Sequence, residues 1–271
     1  MARIGTEQFA EMPLPEIRVH AAGAAFLRHW SAVAVRGHWR AFWNSTPGSA
    51  CLFEGRRLPL VPQRLVVIPP DTPVTLRLEQ PAQHLWLHFS AGQPYDRFCG
   101  RVFSFRVDTR LRATLESLEQ ILHGATAVPR IRYRRAMLVN LIVAGILARV
   151  PARLWPTFKD DPRIQRTVEF MTQNLREPAS NAMLADMAGM SVSAFIRGFH
   201  AEIGEPPQAF RQRLRLQHAG LLLQQTELKI EEIAGECGFC DRYYLSKLFK
   251  RHYGLGPAAY RRAGKRMLNW R

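Results

Sequence analysis

Cysteine is scarce in this 271-residue chain, which holds four: Cys51, Cys99, Cys237 and Cys240. Thiols so thinly spread do not build the dense disulfide framework of a small secreted scaffold. Long apolar runs are missing as well. The longest, Met137–Ala148, is interrupted by Asn140 and Gly145 and falls short of the ~20 residues that span a bilayer. The opening residues, MARIGTEQFAEMPLPEIR, hold no apolar core of signal-peptide length. No membrane partner is therefore expected, and the expected compartment is the cytoplasm. Acidic residues are in deficit: 22 Asp and Glu face 38 Lys and Arg, a formal charge of +16. Such a balance suits a polyanionic partner. Residues 161–271 carry a net +6 and residues 1–160 a net +10, so charge supports nucleic-acid binding without locating it. A hydrophobic fraction of 47% with 22% charged residues is that of a globular protein, long enough for two cored domains.

From about Ala32 to Val107, proline and glycine recur every eight to twelve residues or so, the punctuation of a small all-β barrel or sandwich. Strands are expected at Ser49–Glu54, Arg57–Leu60, Leu65–Ile68, Val74–Leu78 and His84–Phe89. In the last two, apolar residues alternate, so each strand turns one face inward. The period changes at Asp108. Leu111, Leu115, Leu118, Ile121 and Leu122 mark an amphipathic helix capped by Asp108 or Thr109. After a break at Gly124–Pro129, Arg130–Val150 reads as a second helix, its first turns rich in arginine. The expected organisation is a barrel over 1–107, a helical pair over 108–150, a linker over 151–161 that includes Trp155-Pro156, and an all-helical domain over 162–271.

The helical domain contains a repeat. Leu184, Ala185, Ala188, Gly189 and Met190 return 49 positions later as Ile233, Ala234, Cys237, Gly238 and Phe239. Beyond the turn the offset becomes 50: Phe195, Arg197, Phe199, Gly204, Pro207 and Phe210 return as Leu245, Lys247, Phe249, Gly254, Pro257 and Tyr260. Each copy has the parts of a helix-turn-helix. A small residue (Ala185, Ala234) admits a close helix crossing, and a glycine four positions on (Gly189, Gly238) supplies the positive φ of a sharp turn. An apolar pair at i and i+4 then seats a second helix whose outer face is free. Ser191 or Ser193, and Asp241, are the candidate caps of these second helices. The spacing Cys237-Gly-Phe-Cys240 invites a zinc or redox reading, but Cys237 takes the small buried slot of Ala188 and no second ligand pair lies nearby, so no metal is expected.

The stretches LADMAGMSVSAFIRGFHAEIGEPPQAF, RLRLQHAGLLLQQTELKIEEIAGECGF and DRYYLSKLFKRHYGLGPAAYR resemble the DNA-binding domain of the AraC/XylS family of transcription regulators, over roughly residues 163–262. The resemblance implies seven helices, with a long one near Pro207–Thr226 holding the two units apart. It also implies that both second helices enter adjacent major-groove segments of duplex DNA, about 34 Å apart. On that basis the base-facing residues are Ser193, Ile196 and Arg197 in the first unit, and Arg242, Tyr243, Ser246 and Lys247 in the second. Arg197 and Lys247 are expected to read guanine, and Ile196 to meet a thymine methyl. Lys250, Arg251, Arg211 and Arg215 are expected to hold phosphates, setting affinity and salt dependence.

The strand-rich part is similar to the cupin-like effector-binding barrel often joined to this domain, through Phe53-Glu-Gly55-Arg, Val67-Ile-Pro-Pro70 and Leu85-Trp-Leu-His-Phe89. Trp43, His84, Trp86 and His88, with Trp39, are candidate lining residues for a small-molecule effector. His84, Trp86 and His88 share one face of their strand, opposite Leu85, Leu87 and Phe89, and only one of those faces can be the lumen. No His-x-His pair exists, so the ligand pattern of metal-dependent cupin enzymes is missing. No catalytic residue, metal or cofactor is expected. The reading is a ligand-responsive, sequence-specific DNA-binding regulator, with a homodimer implied by the family and RNA polymerase a further candidate partner. Two alternatives stand beside it: a cupin-type enzyme with a nucleic-acid tether, and an architectural DNA-binding protein without an effector.

Overall fold

A computed structural model describes residues 15–28, 31–34, 37–92, 95–98, 100–124, 129–154 and 161–268. Cys99, most of the 124–129 break, and residues 155–160 of the expected linker, Trp155-Pro156 included, lie outside the described residues.

The punctuated first part forms two antiparallel sheets. One has the order β1 (Arg18–Leu27), β8 (Ala82–Ser90), β3 (Trp39–Asn44), β6 (Arg64–Ile68), β9 (Phe103–Arg106). The other has the order β2 (Ser31–Ala34), β7 (Val74–Leu78), β4 (Ser49–Phe53), β5 (Arg56–Leu60). Strands β3 and β6 are buried on both sides; β6 accordingly reads as an apolar run after Arg64, whereas β3 buries Arg40 and Asn44 among its apolar residues. Their alternate residues serve two separate cores. Phe42, Val66 and Ile68, with Leu27 of β1, face the smaller sheet, where Cys51, Leu60, Val74 and Leu76 meet them. Trp39, Trp43, Leu65, Val67, Leu85, Leu87 and Phe89 face away and are covered by helices α1 (Thr109–His123) and α2 (Pro129–Arg149). The helical pair thus shares one core with the large sheet. Asp108 organises its entry: one carboxylate oxygen accepts from Leu111 N at 2.8 Å, and the other takes Arg149 Nη2 of α2 at 2.6 Å.

Seven helices follow among the described residues: α3 (Pro162–Gln173), α4 (Asn181–Met187), α5 (Val192–Ile203), α6 (Pro207–Gln225), α7 (Ile230–Glu236), α8 (Arg242–Tyr253) and α9 (Pro257–Leu268). They form two small cores joined by α6. Phe210 and Leu214, near its start, pack with Phe195, Phe199, Ile164 and Leu184; Leu216, Ala219 and Leu223 pack with Ile233, Leu245, Phe249 and Tyr260. A 19-residue helix shared in this way is a rigid spacer of about 28 Å between the two units. No helix among the described residues is long and apolar enough to cross a membrane.

Candidate nucleic-acid interface and barrel lumen

The duplication survives atom by atom. In the first unit Met190 N donates to Ala185 O at 2.9 Å and Gly189 N to Asp186 O at 2.9 Å. In the second, Phe239 N donates to Ala234 O at 2.8 Å and Gly238 N to Gly235 O at 3.0 Å. Both turns need a left-handed residue: φ is 62° at Gly189 and 70° at Gly238. Ser191 caps α5 through Ala194 N, and Asp241 caps α8 through Tyr243 N and Tyr244 N at 2.7 and 2.8 Å. Ser193 lies inside α5 and is not the cap. Burying Phe195, Phe199, Leu245 and Phe249 turns the opposite faces of α5 and α8 to solvent.

On those faces Ser193, Arg197, Arg242, Tyr243, Lys247, Lys250 and Arg251 are exposed, Tyr243 at 72%. Ile196 and Ser246 are half-buried, Ile196 against the first core. Arg242 is already engaged at the head of α8: it pairs with Glu231 of α7, and its guanidinium lies 4.7 Å from the centre of the Tyr243 ring. Arg211 and Arg215 correct the expectation that they hold phosphates. Both turn inward from α6 to the loop after α3, Arg211 donating to Glu177 O and Arg215 to Leu175 O. Burial lowers the pKa of Arg215 to about 10, helped by the neighbouring Arg211 charge. Their work is to tie α3 to the spacer helix. Cys237 is fully enclosed in the second core, in the slot of Ala188, and burial raises its thiol to about 12; Cys240 is exposed.

In the barrel, the face of β8 carrying His84, Trp86 and His88 is the lumen. Their cross-strand partners are Asn44, Phe42 and Arg40 in turn, and Phe42 and Trp86 belong to the core between the sheets. Trp43 and Trp39 correct the expectation that they line it. They face the helical layer, where Trp43 Nε1 donates to Pro62 O at 3.1 Å and Trp39 Nε1 to Asp96 at 2.9 Å. Opposite Trp86 in the register stands Gly23, where a Cβ would collide with the indole ring. At one end of the lumen His84 Nδ1–H donates to Asn44 Oδ1 at 2.8 Å, and Asn44 Nδ2 to Ser49 Oγ at 3.0 Å. Burial holds the His84 pKa down at about 3. At the other end the His38 ring lies 5.5 Å from that of His20 and 4.9 Å from that of His88. Arg40 is buried beside them and donates through Nη2 to Thr72 O at 2.7 Å. His20 and Arg40 were not singled out in sequence, since nothing local distinguishes them from surface residues of a strand end. Among the described residues no three ligating side chains converge as around a metal ion.

A family described as "Helix-turn-helix domain" matches residues 184–263, the two units and the spacer between them. An uncharacterized HTH-type transcriptional regulator from Haemophilus influenzae is 33% identical over 48% of this chain and 41% of its own length. The HTH-type transcriptional activator RhaS of Escherichia fergusonii is 28% identical over 56% of this chain and 53% of its own. The chain thus spans about half the length of these curated relatives. Both parts together have the fold of the unsaturated-fatty-acid-bound ToxT from Vibrio cholerae, with a TM-score of 0.56 at 11% identity over 92% of this chain and 97% of that one. With the twofold helix-turn-helix in place, the family match over it and these relatives make residues 184–263 a helix-turn-helix domain similar to those of HTH-type transcriptional regulators.

Proposed function

We propose that the protein binds specific duplex DNA in the cytoplasm through α5 and α8 and regulates transcription in response to a small molecule held in its barrel. The observation that carries this reading is the pair of solvent-facing helices, each entered through a positive-φ glycine turn and a side-chain cap, each presenting a cation at the matched position, Arg197 and Lys247. A guanidinium can read guanine O6 and N7 bidentately, and an ammonium can bridge the same two acceptors. Lys250 and Arg251, exposed on α8, suit phosphates. Arg242 would exchange its pairing with Glu231 for a contact to the duplex.

The lumen supports the sensing half. It combines aromatic faces at Phe42 and Trp86 with hydrogen-bonding groups at both ends, the composition of a site that orients a small ligand. No catalytic step is assigned to it. A homodimer is supported by α2, where Tyr133, Met137 and Leu141 fall at i, i+4 and i+8 and are 72%, 69% and 61% exposed. Three large apolar side chains in one stripe are costly to leave in water. We assign residues 1–107 to sensing, 108–150 to pairing, and 162–271 to DNA binding.

Selection of bound fragments from random and genomic DNA by the full-length protein tests the reading. A short, recurrent sequence with two half-sites about one helical turn apart is expected. Binding that ignores sequence would mark the protein as architectural instead.

A further inference from the structure

Residue Asp71 sits on the turn between β6 and β7 with φ at 54°, a left-handed conformation uncommon outside glycine. Its carboxylate points across to the helical domain and grips it twice. Oδ2 accepts from Gln217 Nε2 of α6 at 3.1 Å, and Oδ1 lies 3.0 Å from His252 Nε2 in the last turn of α8. The group is largely enclosed, with 14% of the Asp71 side chain exposed. One carboxylate therefore binds the spacer helix and the second recognition helix at once. Beside it Gly37 closes the same junction. A Cβ there would stand 2.7 Å from Gln217 Cγ and 3.1 Å from Gln217 Cα, and would collide with the Tyr253 hydroxyl.

The turn is also wired to the barrel interior. The next residue, Thr72, is fully buried; its carbonyl accepts from Arg40 Nη2 at 2.7 Å and its hydroxyl accepts from Gly100 N at 3.1 Å. Arg40 stands opposite His88 in the lumen. A change in the position of Arg40 would thus act on Thr72 O and, through one peptide unit, on Asp71. A non-glycine residue held at positive φ stores strain that the surrounding contacts must balance, so releasing one of them favours a different turn.

We propose that Asp71 is an interdomain latch, set from the lumen through Arg40 and Thr72, whose closed position holds α6 and α8 in the arrangement that binds DNA. The direction follows from exposure. Arg197, Tyr243, Lys247 and Lys250 remain open to solvent while the barrel is docked, so docking obstructs none of them. Contact with α6 and α8 together instead fixes one helix against the other, and the latch acts by preorganisation.

The test uses the full chain, with duplex affinity read by fluorescence anisotropy and domain docking by small-angle X-ray scattering. Asp71→Asn keeps the shape of the side chain and removes its charge and one acceptor; Gly37→Ala wedges the junction without touching Asp71. Each is expected to weaken binding about five- to tenfold and to enlarge the radius of gyration. Because both open the same contact, the double variant should be no weaker than the stronger single one. Arg40→Gln should behave alike and be non-additive with Asp71→Asn. Wild-type affinity and scattering in Asp71→Asn and Gly37→Ala would overturn the latch, as would tighter binding; additivity of Arg40→Gln would overturn the route through the lumen. The inference rests on the DNA-binding role proposed above, and Arg197→Ala separates the two. If Arg197→Ala weakens binding while the latch variants do not, only the latch fails; if the wild type itself shows no specific binding, the role fails.

Discussion

Arg215 Nε donates to the carbonyl of Leu175 at 2.8 Å, joining the middle of the spacer helix to the loop that leaves α3. The bond makes Arg215 part of the scaffold of the helical domain. Replacement by methionine should destabilise the domain by about 1–3 kcal/mol, because it strands a carbonyl in a partly buried position. The slope of log affinity against log salt should not move, since no phosphate contact is lost. Urea unfolding and a salt titration of duplex binding would show both; a slope reduced by about one would return Arg215 to the duplex.

Substitutions at the matched cations should behave differently. Arg197→Ala and Lys247→Ala are each expected to cost about 1–3 kcal/mol against the selected site and to relax preference at a separate base pair. Lys250→Ala should weaken binding to all sequences alike and lower the salt slope by about one. Competition assays with single-base variants of the site distinguish these outcomes.

The two turn glycines make an internal comparison. Both hold positive φ, but open space surrounds a Cβ at Gly189, whereas one at Gly238 would stand 2.6 Å from Leu175 O. Gly189→Ala should cost about 1–2 kcal/mol from backbone strain alone. Gly238→Ala should cost about 2–5 kcal/mol, as overpacking adds to strain. Equal losses in thermal unfolding would contradict this ranking.

Acid should unfold the protein through its lumen. Burial holds His84 at about 3, and burial with the Arg18 charge holds His20 at about 4, against 6.5 for the free side chain. As the pH falls below 6.5 the unfolded chain takes up protons that the folded chain refuses, so stability is full above that pH and declines toward 3. Asp96 acts in the opposite sense: desolvation raises its carboxyl from 3.8 to about 6, which favours the folded state at the acid end of that window. The shifts of His84 and His20 together outweigh that of Asp96. The Tm at pH 4.5 should therefore lie well below that at pH 7, and His84→Gln, which can still donate to Asn44, should narrow the gap. A gap unchanged in the variant would remove His84 from the account.

Pairing through α2 is open to a direct check. Met137→Asp places a charge in the middle of the Tyr133–Leu141 stripe and should convert a dimer to a monomer in sedimentation velocity. The fold should be untouched, since Met137 is 69% exposed. A wild type that is already monomeric at high concentration would reject the stripe as an interface.

Local pattern carried much of this molecule. Strand β7 matches the alternation of Val74, Leu76 and Leu78, and α1 begins at its Asp108 cap. Strand β1 escaped because Ala21–Ala25, with Gly23 at its centre, has neither alternation nor β-branched residues; its small side chains make room for Trp86.

The sequence alone determined the duplicated unit, its turns and its outward cations, because helix period, capping and glycine conformation act within about ten residues and leave their mark on neighbouring letters. Tertiary structure alone decided which face of β8 encloses the lumen, that Trp43 belongs to the helical side, and that Arg211 and Arg215 turn inward. It alone also brought Asp71 to His252, 181 positions away. Those choices depend on which surfaces meet when sheets and helices pack, and a one-dimensional period is the same whichever side the partner takes.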